Sequence, residues 1–244
     1  KDNQIIFNQS YGLKNKETNE VLKNDDIFRI ASISKSFSAT AIMQLIEQKK
    51  CNLEDDFSDL IGFPIRNPNF PNKKITLKMV LSHTSSINDK NGYFDLDVIN
   101  PNKSEKSTIS YNNYEPGTKY EYCNLNFNMI GAVIERLSKE RFDNHIKKHI
   151  LQPLNLYAGY CVDSLDQSKF VTLYEYNTTT NSYKPQPSAY NPRSQEIKNY
   201  TLGYSTPIFS PTGGMKISAL DLAKYMKIHM NYGQLDGKKI ISKK

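Results

Sequence analysis

The sequence Phe28-Arg29-Ile30-Ala31-Ser32-Ile33-Ser34-Lys35-Ser36-Phe37 places Ser32 three residues before Lys35. Apolar residues then recur at helical spacing, at Phe37, Ala41, Ile42, Leu45 and Ile46. This pattern predicts a helix from near Ser32 to about Lys50. Because residues i and i+3 share a helix face, the Lys35 amine can reach the Ser32 hydroxyl. A serine is a weak nucleophile until a neighbouring base takes its proton, although an isolated Ser-x-x-Lys is more typical of a helix cap followed by a surface lysine.

A second segment adds to this pair. It reads Pro116-Gly117-Thr118-Lys119-Tyr120-Glu121-Tyr122-Cys123-Asn124-Leu125-Asn126 and opens a predicted helix whose apolar positions are Met129, Ile130, Val133, Ile134 and Leu137. Together the two segments resemble the serine beta-lactamase and penicillin-binding-protein superfamily, especially its esterase and D-aminopeptidase branch. Members carry Ser-x-x-Lys, then Tyr-x-Asn or Ser-x-Asn, then Lys-Thr-Gly or His-x-Gly. Tyr122 and Asn124 match the second of these motifs.

Two other segments fit the bare pattern of the second motif. These are Tyr111-Asn112-Asn113 and Ser86-Ile87-Asn88. Neither follows a Pro-Gly turn, and neither opens an amphipathic helix. We therefore assign the second motif to Tyr122 and Asn124.

Further resemblance lies outside the catalytic motifs. The segment from Ile75 to Ser86 is similar to the family's Thr-Leu-x-x-Leu-Leu-x-His-Thr-Ser-Gly stretch, with Ser86 where glycine is usual. The resemblance implies that His83 is structural rather than a base. The segment Ser210-Pro211-Thr212-Gly213-Gly214-Met215 precedes a capping box that begins at Ser218, and its paired glycines predict a tight backbone near the cleft.

The chemistry that the resemblance implies is acyl transfer. Ser32 is the expected nucleophile, either neutral Lys35 or a Tyr122 phenolate is the base, and Asn124 orients Lys35 and the substrate. The expected function is a serine hydrolase that forms an acyl-enzyme from an ester, a β-lactam or a D-amino-acid peptide, with no cofactor and no metal. The alternative is a non-catalytic protein that keeps the fold for binding or scaffolding.

The expected fold is α/β (α+β) of the beta-lactamase/transpeptidase type, an antiparallel sheet flanked by helices plus a mainly helical lobe. Residues 1–55 would form part of the sheet domain with the nucleophile helix. Residues 56–199 would form the helical lobe, with loops at 66–74, 88–113 and 177–199 framing the cleft. Residues 200–244 would return towards the sheet domain.

Both ends of the sequence depart from the family pattern. No Lys-Thr-Gly, Lys-Ser-Gly or His-x-Gly lies between Asn124 and Lys244. Residues 1–4 predict a hairpin turn, and residues 5–12 predict the second strand of a pair whose first strand is absent. We therefore expect a chain truncated at both ends, whose 244 residues are impaired as an enzyme when they stand alone.

Composition and charge indicate which kinds of binding partner the protein has. The net charge is +7 and the pI is about 9.1, but the lysines are scattered without interleaved aromatic residues, so nucleic-acid binding is not expected. Three cysteines without Cys-x-x-Cys or Cys/His spacing predict neither disulfides nor zinc, and Cys123 is expected to be a buried filler. No run approaches the roughly 20 apolar residues of a membrane span. We expect a small-molecule or peptide substrate. The family resemblance favours a periplasmic or secreted location. The sequence does not indicate an oligomeric state.

Overall fold

The computed structural model describes residues 4–242. This part of the chain forms seven α-helices, which are α1 (Ser34–Glu47), α2 (Phe57–Ile61), α3 (Leu77–Leu81), α4 (Asn124–Ser138), α5 (Phe142–Ile146), α6 (Ser194–Ile197) and α7 (Ala219–Met230). The strands are β1 (Leu13–Asn15), β2 (Glu20–Val21), β3 (Phe28–Arg29), β4 (Ala158–Gly159), β5 (Tyr174–Asn177), β6 (Ser182–Pro185), β7 (Lys216–Ile217), β8 (Gln234–Leu235) and β9 (Lys238–Lys239). Single 3-10 turns connect many of them, and a π-helical turn spans Lys147–Leu151.

The hydrophobic core forms where α1 packs against α4. Helix α1 contributes the fully buried Phe37 and Ile42, and α4 contributes Met129 and Val133, all at 0% exposure. Burying each such side chain stabilises the fold by about 1.5–3 kcal/mol. Since both predicted motifs lie at the N-terminal ends of these two helices, this packing brings the motifs together.

A small antiparallel sheet fixes the segment that precedes Ser32. Strand β7 lies in the centre, with β3 on one side and β4 on the other, so that Ile217 is paired with both Phe28 and Ala158. Past the end of β3, the Ile30 N–H donates to the Met215 carbonyl at 3.1 Å. The mixed fold class with antiparallel sheets and flanking helices is confirmed, whereas the domain boundaries at 55 and 199 stay a prediction.

Two predictions of secondary structure need correction. Helix α1 begins at Ser34 and ends at Glu47, and Ser32 lies in a 3-10 turn before it, Ala31–Ile33. Residues 5–12 form no strand, because their exposed chain makes no ladder with another described segment, and the first strand begins at Leu13. Residues 1–3 of the predicted hairpin turn lie outside the described residues.

The region predicted as a loop at 177–199 carries more structure than expected. Strands β5 and β6 pair as a hairpin from Tyr174↔Pro185 to Asn177↔Ser182. A 3-10 turn and α6 follow it. Half of the predicted capping box is present at the start of α7: the Ser218 hydroxyl accepts a hydrogen bond from the Asp221 N–H at 3.1 Å, while the Asp221 carboxylate accepts the Tyr157 N–H at 2.9 Å.

Candidate active site

Ser32 lies on a sharp turn between β3 and α1. Ala31 adopts a positive φ of 45°, which is uncommon for a residue with a β-carbon. Two hydrogen bonds with Met215 hold the turn. The Ile30 N–H donates to the Met215 carbonyl, and the Met215 N–H donates to the Ser34 hydroxyl at 3.0 Å. The Ser32 side chain is thereby left exposed at the surface of the cleft.

Lys35 is the centre of the site. The residue is 7% exposed, and its amine lies within hydrogen-bond distance of four oxygen atoms. These are Ser32 Oγ at 3.1 Å, Tyr122 OH at 2.5 Å, Asn124 Oδ1 at 2.9 Å and the Thr212 carbonyl at 3.0 Å. The side-chain carbonyl of Asn124 and the backbone carbonyl of Thr212 can only accept, so each takes one hydrogen of the Lys35 amine. The remaining bonding direction of the nitrogen then faces the hydroxyls of Ser32 and Tyr122.

Tyr122 bridges the serine and the lysine. Its hydroxyl donates to Ser32 Oγ at 2.6 Å, while the Lys35 amine lies 4.7 Å from the centre of its ring. The ring also packs against His83, with 4.7 Å between the ring centres. The His83 Nδ1 accepts the Cys123 N–H at 3.2 Å, which fixes the backbone beside Tyr122. Burial, with the nearby Lys35 charge, lowers the pKa of His83 and favours this neutral, accepting form.

Asn124 is oriented from a distant loop by Asp89. One carboxylate oxygen of Asp89 accepts the Asn124 N–H at 2.8 Å and its side-chain Nδ2 at 3.0 Å, and the other accepts the Leu125 N–H at 2.9 Å. A carboxylate accepts only, so Nδ2 must face Asp89 and Oδ1 must face Lys35. The same carboxylate caps the N-terminus of α4, where a negative charge is favourable.

The segment around Thr212 closes the site from the opposite side. The Thr212 N–H donates to Asn128 Oδ1 at 3.2 Å, and its hydroxyl donates to Asn124 Oδ1 at 3.0 Å. The tight backbone expected at the paired glycines is present, because a β-carbon on Gly214 would overlap the Phe209 carbonyl oxygen. Glycine at this position therefore allows the turn that presents the Thr212 carbonyl to Lys35.

The four residues singled out in the sequence, Ser32, Lys35, Tyr122 and Asn124, lie in one hydrogen-bonded cluster. The two rejected segments instead pair with each other through an Ile87–Tyr111 bridge. Cys123 is buried beside the site, where burial raises the pKa of its thiol.

Sequence reasoning missed two members of the site. Asp89 has no local signal, since its partners lie 35 and 36 positions further along the chain. Thr212 acts on Lys35 through its carbonyl, a group that every residue carries. The paired glycines that follow Thr212 were the available signal for that second contact.

A cavity of about 560 Å³ lies beside the cluster rather than around it. Its lining includes Arg29, Arg193, Ser210, Gly214 and Lys216, and none of the four predicted site residues. Burial, together with the neighbouring arginine charges, lowers the pKa of Lys216 to about 7. We regard the hydrogen-bonded cluster as the reactive centre, because it joins the exposed hydroxyl of Ser32 to the Lys35 amine and the Tyr122 phenol.

The model of the beta-lactamase family matches residues 1–244. The chain belongs to the beta-lactamase family. This result confirms the resemblance to the serine beta-lactamase and penicillin-binding-protein superfamily that the two motifs indicated.

Individual members of the superfamily are similar to this beta-lactamase-family chain over most of its length. Protein flp of Staphylococcus aureus strain N315 is 25% identical over 239 residues, which cover 95% of this chain and 44% of flp. The octameric penicillin-binding protein homologue from Pyrococcus abyssi superposes with a TM-score of 0.74 at 25% identity, covering 100% of this chain and 52% of that one. A D-amino acid amidase from Ochrobactrum anthropi SV3 gives 0.67 at 17% identity, with 95% and 62% covered.

The chain matches only part of the length of its relatives. The chain spans 44% of the length of flp, so the activity of a complete protein belongs to the proposal that follows. Among the helices of residues 4–242, none has the length and apolar character needed to cross a membrane. The periplasmic or secreted location stays a prediction.

Proposed function

We propose that this chain supplies the nucleophile of a serine hydrolase that works through an acyl-enzyme. The observation that carries the proposal is the contact of Ser32 Oγ with Tyr122 OH at 2.6 Å and with the Lys35 amine at 3.1 Å. A hydroxyl with a proton acceptor in hydrogen-bond reach is the arrangement that nucleophilic catalysis requires. Exposure of the serine leaves room for a substrate carbonyl.

Tyr122 is the preferred first acceptor of the serine proton in this proposal. Its oxygen is nearer to Ser32 Oγ than the Lys35 nitrogen is. For this step a neutral Lys35 amine first takes the phenol proton of Tyr122, which lies 2.5 Å away. The ammonium that forms, held by the carbonyls of Asn124 and Thr212, stabilises the Tyr122 phenolate, which then accepts the serine proton. The phenol then returns this proton to the leaving group as the bond between the leaving group and the acyl carbon breaks, which leaves the acyl group on Ser32.

The proposed substrates are carbonyl compounds with a leaving group that needs a proton: an ester, a β-lactam or a D-amino-acid peptide. Support comes from the family, and from a superposed neighbour that is a D-amino acid amidase. Such substrates need no metal or cofactor for acyl transfer to a serine. The choice among them depends on the residues that surround the acyl group.

The test is covalent labelling of the natural protein with a fluorophosphonate and with a penicillin, followed by peptide mapping. We expect one adduct, on the peptide that carries Ser32, and its loss in Ser32→Ala. The matched control is Ser36→Ala, at a serine four residues further along the chain whose hydroxyl donates to the Ile33 carbonyl at 2.7 Å, and it should label like the wild type. Labelling that persists in Ser32→Ala would refute the assignment, and a folded protein that no probe labels would favour the binding or scaffolding alternative.

A further inference from the structure

Two histidines and a glutamate meet at the end of α5, away from Ser32. His145 Nδ1 lies 3.0 Å from Glu140 Oε2, and His149 Nε2 lies 2.7 Å from the same oxygen. The two imidazole rings are 4.4 Å apart, and one ligand atom from each of the three residues lies within 4.8 Å of the others. The proposed hydrolase chemistry uses none of these residues.

The spacing of these atoms suits a tetrahedral metal ion. Zinc binds imidazole nitrogen at about 2.0–2.1 Å and carboxylate oxygen at about 2.0–2.2 Å, so two ligand atoms on one ion are about 3.3 Å apart. The Glu140 contacts to the two rings, at 3.0 and 2.7 Å, are a few tenths of an ångström shorter than this. The three ligand atoms lie within 4.8 Å of one another, so side-chain rotations that move Glu140 outwards and bring the imidazole nitrogens closer would convert the hydrogen-bonded cluster into three ligands, with a fourth position open to water.

The backbone explains why the two histidines share a face. His145 lies at the end of α5, and His149 follows within the π-helical turn Lys147–Leu151. Pro153 has no N–H to give to the His149 carbonyl, which instead accepts the Gln44 side chain at 3.2 Å. This contact ties the turn to α1, and residues four apart on one helical segment project from the same side.

The three residues of the cluster differ in their exposure to solvent. His145 is 3% exposed, whereas the Glu140 and His149 side chains are 28% and 34% exposed. An ion can therefore enter from the Glu140 and His149 side and rest against the fixed His145 ring. The Lys148 ammonium forms an ion pair with Glu140 and is 62% exposed, so it competes with a cation yet can swing into solvent.

We propose that Glu140, His145 and His149 form a site for a divalent transition-metal ion of the zinc type. Two imidazoles and one carboxylate are ligands that Zn²⁺ accepts. The site lies about 15 Å along α1 from the nucleophile turn, counted from Ser34 to Gln44, so the ion would stabilise the fold rather than take part in acyl transfer. A bound ion would cross-link the segment after α4 to the turn after α5.

The test is titration of the metal-free protein with Zn²⁺, followed by calorimetry and thermal unfolding. We expect one equivalent to bind, and Tm to rise by about 5–10 °C at a free zinc concentration of about 100 times Kd. Co²⁺ should bind competitively and give the visible absorption of a four-coordinate site. The partly exposed ligand variants His149→Gln and Glu140→Gln should each weaken binding at least tenfold.

Two further variants keep the test decisive. His229→Gln alters a histidine elsewhere, on α7, and should bind Zn²⁺ like the wild type. Lys148→Ala removes the positive charge that competes with the metal ion for Glu140, so it should tighten Zn²⁺ binding several-fold. A cluster that only stabilises the fold and binds no metal would not show this effect. Weak binding that is equal in the wild type and in His149→Gln, or an unchanged affinity in Lys148→Ala, would overturn the assigned site.

Discussion

Asp89 determines which way the side-chain amide of Asn124 faces. The Asp89 carboxylate accepts both the backbone N–H and the side-chain Nδ2 of Asn124, at 2.8 and 3.0 Å. The amide oxygen is thereby turned to the Lys35 amine at 2.9 Å. A residue with no contact to the serine thus fixes the hydrogen bonding of the lysine beside it.

Replacement of Asp89 by asparagine should therefore slow acylation. The new amide would have one accepting oxygen where the carboxylate has two, so its NH₂ group would face either the Leu125 N–H or the two donors of Asn124, and the hold on the Asn124 amide would loosen. We expect the acylation rate to fall at least tenfold, with a loss of about 1 kcal/mol of stability from the weakened cap of α4. The rate is measured by stopped-flow labelling well below Tm.

A matched control separates this effect from simple loss of a cap. Asp95 is exposed and caps a 3-10 turn by accepting the Asp97 N–H at 2.8 Å. Asp95→Asn should leave acylation unchanged. Acylation by Asp89→Asn at the wild-type rate would show that the orientation of Asn124 does not matter.

Tyr122→Phe distinguishes between the two bases that the sequence leaves open. The variant keeps the ring that contacts His83 and Lys35 but removes the oxygen that lies 2.6 Å from Ser32 Oγ. If the phenol takes the serine proton, the acylation rate should fall about 10²- to 10⁴-fold with little change in Tm. Tyr120→Phe, at a more exposed ring that also contacts His83, is the control. A rate that survives in Tyr122→Phe would assign the base to Lys35 alone.

His83 should make stability depend on pH. Its pKa is lowered from 6.5, mainly by burial, so the folded state favours the neutral ring that accepts the Cys123 N–H. Its contribution is therefore complete above the unfolded pKa of about 6.5 and is lost as the pH falls towards the lower folded value. Urea unfolding between pH 8 and pH 5 should show this loss, and His83→Asn should reduce the slope. An identical slope in both proteins would contradict the assignment.

Helical periodicity is visible within a dozen positions, and the family resemblance supplied the motif residues, whose catalytic roles stay a prediction. The sequence placed the start of α4 at Asn124 and identified Ser32, Lys35 and Tyr122 as neighbours. It misplaced the start of α1, because the turn at Ala31 depends on the hydrogen bonds of Ile30 and Ser34 with Met215, about 180 residues away in the chain.

The short strands and the contacts of Asp89 and Glu140 could not be predicted from the sequence, because they leave no local pattern. Strands β3, β4 and β7 have two residues each, and two residues give no alternation to detect. Asp89 reaches Asn124 only after the chain has folded. The pairing of His145 with His149 follows from four-residue spacing, but Glu140 joins them through a turn that no periodic pattern encodes.

Gly214→Ala should disturb the site without touching any reactive group. A β-carbon there would overlap the Phe209 carbonyl and approach the Ser210 carbonyl at 3.0 Å, and backbone atoms cannot move aside cheaply. The turn would shift and carry the Thr212 carbonyl away from Lys35, so acylation should fall at least tenfold. Gly159→Ala, where the nearest neighbour is a Leu165 methyl at 3.4 Å, should have little effect. Equal rates in the two variants would show that the turn does not position Lys35.

The buried carboxylate of Glu135 should be worth several kilocalories per mole of stability. It is 0% exposed on α4 and accepts four hydrogen bonds. The donors are the Phe142 N–H at 2.7 Å, the Gly203 N–H at 2.6 Å, the Thr206 hydroxyl at 2.8 Å and the Tyr200 hydroxyl. Burial raises the pKa of Glu135, while these four donors oppose the rise and favour the charged form.

Glu135→Ala would leave all four donors without their acceptor. A buried donor that loses its partner costs about 1–3 kcal/mol, so we expect the free energy of unfolding to fall by on the order of 3–5 kcal/mol in urea titrations. Glu54→Ala removes an exposed carboxylate whose ion pair with Lys78 is open to solvent, and it should change stability by less than about 0.5 kcal/mol. Because Gly203 and Thr206 precede the segment that carries Thr212, Glu135→Ala should also slow acylation at temperatures where it remains folded. A stability loss under about 1 kcal/mol would mean that water replaces the carboxylate, and that the contact of residues 200–206 with α4 does not depend on Glu135.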